Sequence, residues 1–92
     1  MGFMKGHGEP VAVTVELTSV VAASATSRLW QAAQRVEQLV GGAARITFEV
    51  TDFGEVVRWA LGFGKEARVV APPEAVALAH TTIKEIDAVY RG

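Results

Sequence analysis

A pair of glycines constrains this chain more than any other feature. Gly41 and Gly42 separate two short runs, residues 34–40 and 45–50, both suited to extended structure. Adjacent glycines supply the positive φ that a tight reversal needs, so the two runs predict an antiparallel hairpin. Two registers compete. A two-residue loop sets Arg35 opposite Phe48. A three-residue loop, residues 41–43, sets Val36 opposite Phe48, Val40 opposite Ala44 and Arg35 opposite Glu49. The second is preferred, because it matches opposite charges across the strands and keeps the apolar residues on one face.

The rest of the chain is arranged around that hairpin. Val11, Val13, Val15 and Leu17 alternate with Ala12, Thr14 and Glu16, which predicts a strand with one buried face. Thr18 and Ser19 are candidate helix caps. Val21, Ala25 and Leu29 recur every four residues and predict a helix to about Trp30. Asp52, with Glu55 three residues on, predicts a capped second helix. Its apolar stripe is Phe53, Val56, Val57, Ala60 and Leu61, flanked by Trp59 and Phe63. Gly62 and Gly64 end it. A strand follows over residues 67–71. Pro72, Pro73 and Glu74 then open a last helix lined by Val76, Ala79, Ile83, Ile86 and Tyr90. The order β-α-β-β-α-β-α predicts an α+β fold: a ferredoxin-like split βαβ (βαββαβ) with a four-stranded antiparallel sheet, plus a C-terminal helix. Residues expected together in the core are Val13, Trp30, Val36, Ile46, Phe48, Phe53 and Val56. The last helix is surplus to the two that cover the sheet, so it is expected at the sheet's edge or against a partner.

Length and composition set bounds on function. Ninety-two residues make one domain, with residues 1–10 a glycine- and proline-bearing lead-in and residues 11–92 the folded part. A net charge of −1 provides no global field for nucleic acid or an anionic membrane, so anion binding falls to local clusters. Cations are six arginines and three lysines, which favours forked contacts over point charges. The absence of cysteine excludes disulfides and thiolate chemistry and fits a cytoplasmic location. No apolar run approaches the ~20 residues of a membrane span.

Motifs of chemistry are few. Asp52-Phe53-Gly54 spells a kinase magnesium triplet, but no glycine-rich nucleotide loop or catalytic aspartate accompanies it, and a helix cap explains it. Gly62-Phe63-Gly64-Lys65 closes a helix instead of opening one, so its dipole repels phosphate. His7 and His80 have no converging ligands, which leaves no metal site. No nucleophile has a matching base, and the carboxylates are scattered. The chain is therefore expected not to be an enzyme and to need no cofactor. The fold invites comparison with RNA-recognition domains, but the outward positions Thr14, Glu16, Arg45, Thr47 and Glu49 carry no aromatic for base stacking. One polar concentration stands out: residues 28–35 place Arg28, Trp30, Gln34 and Arg35 at a helix-to-strand corner. A core Trp with solvated arginines accounts for it. So does a small site in which arginines and amides grip a phosphate or base beside the indole.

Trp30 with Gln34, Gly42, the run Arg58-Trp59-Ala60-Leu61-Gly62-Phe63-Gly64, Val69, Pro72-Pro73 and Tyr90 form a spaced set. The set resembles the C-terminal extension, called WCX, of bacterial WYL-domain transcription regulators, over nearly all of residues 11–90. Family members often have His after the first Trp, where this chain has Gln31. The resemblance implies an upstream helix-turn-helix and WYL domain, a homodimer, and ligand sensing shared with the WYL domain, in some cases of single-stranded nucleic acid. It implies a ligand contact for the corner residues, with Arg45 and Arg68 reaching the site from the sheet, and the sequence adds no membrane partner. Two alternatives stand beside it. One is a homodimerisation module without ligand contact. The other is an ACT-like small-molecule domain, which the Gly-free turn at Thr18-Ser19 disfavours.

Overall fold

Alternation decides the centre of the molecule. Val13, Val15 and Leu17 are almost wholly buried while Thr14 and Glu16 between them reach solvent, as a pleated strand with one apolar face requires. In the computed structural model, which describes residues 9–27 and 35–92, the elements are β1 (Val11–Leu17), α1 (Ala22–Ser27), β2 (Arg35–Gln38), β3 (Ala44–Val50), α2 (Phe53–Leu61), β4 (Ala67–Ala71) and α3 (Pro73–Arg91). Short 3-10 turns lie at Val40–Gly42 and Gly64–Glu66. All strand pairs are antiparallel, in the order β2-β3-β1-β4. This is the α+β, ferredoxin-like sheet expected from the element order, with α3 added.

The helices and the inner sheet face share one apolar cluster. Val13, Val15, Ile46 and Phe48 meet Ala22 and Ala25 of α1 and Val56, Val57 and Ala60 of α2. Phe48 packs edge-on to Trp59, with ring centroids 5.3 Å apart, and Trp59 repeats the geometry with Phe63 at 5.1 Å. Edge-to-face packing aligns the positive ring rim with the negative face of its neighbour. α2 starts where expected. The Asp52 carboxylate accepts the Gly54 N–H at 2.9 Å, satisfying a donor that the first turn leaves open. A Cβ at Gly54 would stand 3.0 Å from that carboxylate oxygen, so the Asp-Phe-Gly triplet is shaped by the cap. α3 packs on α2 and β4, at the sheet's edge.

The hairpin departs from the expected register. Val36 faces Ile46, Glu37 faces Arg45 and Arg35 faces Thr47, two residues away from the preferred pairing. The turn begins one residue earlier than expected. Leu39 N–H donates to the Ala43 carbonyl at 2.9 Å, and Val40–Gly42 form a 3-10 turn inside that closure. Gly41 and Gly42 both have positive φ, 79° and 88°, which lets the turn tighten without a Cβ penalty. Val40 is consequently 98% exposed instead of paired with Ala44.

Three smaller expectations are also corrected. Val36 is 41% exposed, because β2 is an edge strand with one neighbour. Phe53 is half-buried and packs on the core from outside. Thr18 does not cap α1 with its side chain. Its carbonyl accepts the N–H groups of Val21 and Ala22, while its hydroxyl donates to Glu66 at 2.5 Å. The expected continuation of α1 to Trp30, and the burial of Trp30, lie outside the described residues, as does His7.

Candidate functional site on the open sheet face

One face of the sheet has no helix over it among the described residues. Its side chains are the alternate residues of each strand, and most of them are polar. Register sorts them into rows. Glu37 of β2 pairs with Arg45 of β3, Arg45 with Glu16 of β1, and Glu16 with Arg68 of β4. The four form a row of alternating charge across the whole sheet. Arg45 Nη1 lies 3.4 Å from Glu37, its Nε and Nη2 donate to the same Glu16 oxygen at 3.0 and 2.8 Å, and Arg68 Nη2 reaches the other Glu16 oxygen at 3.4 Å. The next row is Arg35, Thr47 and Thr14, in which the two hydroxyls share a hydrogen bond of 3.2 Å.

Glu16 is the hub. Its carboxyl is held below the ordinary glutamate range chiefly by hydrogen bonding to Arg45, against the opposing effect of burial, with Arg68 adding a lesser push downward. The Arg45 guanidinium is raised in turn, chiefly by the bond to Glu16. At the sheet's end Glu66 is likewise lowered by Lys65 and by the Thr18 hydroxyl.

Of the residues named from sequence, Arg35, Arg45 and Arg68 stand on this one face, and Arg28, Trp30 and Gln34 lie outside the described residues. Arg45 and Arg68 are joined through Glu16. Arg35 and Arg68 are not joined: they occupy opposite edge strands, about 14 Å apart at three strand spacings. Glu16 and Glu37 were missed as site residues. Their signal is cross-strand charge matching, readable only once the register is right. Among the described residues no three carboxylates or imidazoles converge as metal ligands.

The arrangement is an ion-pair lattice, not a bare cationic patch. Two arginines in the row are balanced by two carboxylates, so a phosphate arriving there competes with Glu16 and Glu37. Arg68, 75% exposed with one long contact, gives up its partner most readily, and Arg35 is exposed in the neighbouring row.

The sequence fits the family model of the WCX domain over residues 9–86. The chain belongs to the WCX family. No curated protein matches it in a sequence search. WCX domains are C-terminal modules of WYL-type regulators, a regulatory family and not a known enzyme family. The matched stretch of this WCX domain contains all four strands and the entire charged row. No helix among its described residues is long and apolar enough to cross a membrane.

Proposed function

We propose that this WCX domain serves a cytoplasmic WYL-type transcription regulator as its effector-sensing and homodimerising part. The open sheet face meets an anionic ligand together with the WYL domain, and a short single-stranded nucleic acid is the ligand class. The observation that supports this reading is the gathering of Arg35, Arg45 and Arg68 on one face with no helix over it among the described residues. Among the described residues the outward positions carry no aromatic, so bases have no stacking platform and phosphates are the groups to hold. Arg28, Trp30 and Gln34, which lie outside the described residues, are assigned to the same proposed site because they precede Arg35 in sequence.

The self-neutralised row makes the isolated domain a weak binder, at best high-micromolar, with affinity falling steeply as salt rises. A chain carrying the WYL domain upstream is the form to test, by fluorescence anisotropy with a short single-stranded oligonucleotide at several salt concentrations. Arg35→Ala, Arg68→Ala and Arg28→Ala should each lower affinity and reduce the salt slope by about 0.7 per lost phosphate contact. Three variants that bind as the parent does would sink the ligand reading. A second reading, homodimerisation without ligand contact, is favoured by Arg45, which both Glu16 and Glu37 already engage. It expects no oligonucleotide binding at any salt concentration.

A further inference from the structure

One margin of the sheet keeps backbone hydrogen-bonding groups unused. β4 is an edge strand, with β1 as its one neighbour among the described residues. In an antiparallel ladder, pairs that exchange N–H and C=O bonds alternate with pairs whose groups point away from each other. Thr18 N–H donates to the Glu66 carbonyl at 3.0 Å. That pair continues the register in which Leu17 faces Ala67, Glu16 faces Arg68 and Val15 faces Val69. Glu16 and Arg68 therefore exchange backbone bonds, whereas Ala67 and Val69 turn their N–H and C=O groups away from β1. Those four groups have no other partner among the described residues. A cleft of about 460 Å³ runs along them, lined by the consecutive residues 67–70. Side chains alternate between the faces of a strand, so four consecutive residues at one cleft present the strand's edge. Leu61 of α2 and Val76 and Ile83 of α3 give the cleft an apolar opposite wall. Arg68 and His80 are its ionisable residues, and no carboxylate lines it among the described residues.

We propose that this edge receives an extended acidic peptide of a partner protein, which joins the sheet as a further strand beside β4. The free groups of Ala67 and Val69 lie two residues apart, about 6.6 Å, the repeat at which another strand presents its own N–H and C=O groups. The inner side of an added strand meets Leu61, Val76 and Ile83, which calls for apolar residues at alternate positions. On the outer side the row Glu37, Arg45, Glu16, Arg68 alternates in sign and stops on a cation. Arg68 is 75% exposed and reaches Glu16 at 3.4 Å, so the member that continues the row is a carboxylate. Pairs whose backbone groups point away from each other bring their side chains closest, and Arg68 stands in such a pair with the added strand. A second copy of the chain, paired through its own β4, offers Arg68 and His80 again where that carboxylate belongs. A nucleic acid strand has phosphates but no ladder of N–H and C=O groups. The proposal is independent of the ligand reading above and shares only Arg68 with it.

Amide hydrogen exchange and peptide selection on the 92-residue chain test this. In the free chain the Ala67 and Val69 amides should exchange much faster than the Arg68 amide. Panning a random-peptide library should enrich sequences in which apolar residues alternate with Asp or Glu. A synthetic peptide of that pattern should slow exchange at Ala67 and Val69. Methylating the backbone nitrogens of one alternate set of its residues should abolish binding, and methylating the other set should not. Arg68→Glu should weaken binding about fivefold to tenfold and shift the preference to a peptide with Lys in place of its acid, a reversal that misfolding cannot imitate. Slow exchange at Val69 in the free chain would mean that α3 already shields the edge, and the proposal falls. It falls equally if the library enriches nothing, or if binding is indifferent to which nitrogens are methylated. Protection of Val69 that grows with protein concentration would give the edge to a second copy, and protection by a short single-stranded oligonucleotide would give it to nucleic acid. Either result overturns the proposal.

Discussion

Replacing Phe48 by Ala tests the account of the core at its most buried large side chain. Phe48 is 0% exposed, sits opposite Val13 across β1 and β3, and meets the Trp59 ring edge-on at 5.3 Å. Truncation removes a ring from a site enclosed by the sheet and α2, and phenylalanine-to-alanine changes in such sites cost about 3–5 kcal/mol. The lost edge-to-face contact lies within that figure and accounts for about 0.5–1.5 kcal/mol of it. A 92-residue domain has about 5–14 kcal/mol of stability in all, so the substitution removes a large share. Urea denaturation followed by far-ultraviolet circular dichroism is the assay. With a slope near 1.5 kcal/mol/M the midpoint should fall by about 2–3 M. Phe48→Leu, which keeps most of the volume, should cost far less. A Phe48→Ala variant within about 1 kcal/mol of the parent would mean that α2 does not clamp the sheet through this ring.

Two further outcomes follow from the sheet and its turn. Glu16 has a lowered pKa in the folded chain, so its contribution is present above the unfolded value of about 4.5 and is lost as pH falls through the folded one. Glu16→Gln should therefore melt a few degrees below the parent at pH 7, the gap closing toward pH 3. A gap that stays constant with pH would refute the hub role. At the hairpin, Gly42 has φ 88° and an added Cβ would stand 3.2 Å from Ser19 Cβ, while Gly41 has φ 79° and open space. Gly42→Ala should cost about 1–2 kcal/mol in urea denaturation, and Gly41→Asn should cost less. The reverse order would mean that crowding against Ser19 does not matter.

Element types were legible because each rests on a local signal. The alternation of Val11 to Leu17, the Asp52 cap and the Pro72-Pro73 start of α3 are each decided by residues within one turn or one pleat. The hairpin register was not legible. It depends on where the turn falls, and Leu39 closing on Ala43 puts the three-residue turn at 40–42 instead of 41–43, a displacement of one residue that shifts the pairing by two and that periodicity cannot detect. Val36 was misjudged for a related reason: period-2 patterning gives the face, but burial on that face depends on neighbours, and an edge strand has one. The open face was half legible. Arg45 and Arg68 were picked as cations reaching toward a site, but Glu16 and Glu37 were not picked with them.

The burial of Phe48 is a poor witness to register, for a reason that bears on function. A slip of two residues leaves every side chain on its own face, so the core is the same in the expected and observed pairings. The outer face is not the same. In the expected pairing Arg35 meets Glu49, and Arg45 falls opposite Leu39, so Glu37 moves away from Arg45 and drops out of the row. In the observed pairing Glu37 joins Arg45, which already holds Glu16, and the charges connect across all four strands. The core therefore tolerates either loop, and the electrostatics of the open face do not. The turn at Gly41 and Gly42, distant in sequence from Arg68, fixes whether Arg45 is shared between two carboxylates or held by one. That sharing sets how readily an incoming anion can displace Glu16, so the two glycines bear on the charged face as much as on the fold.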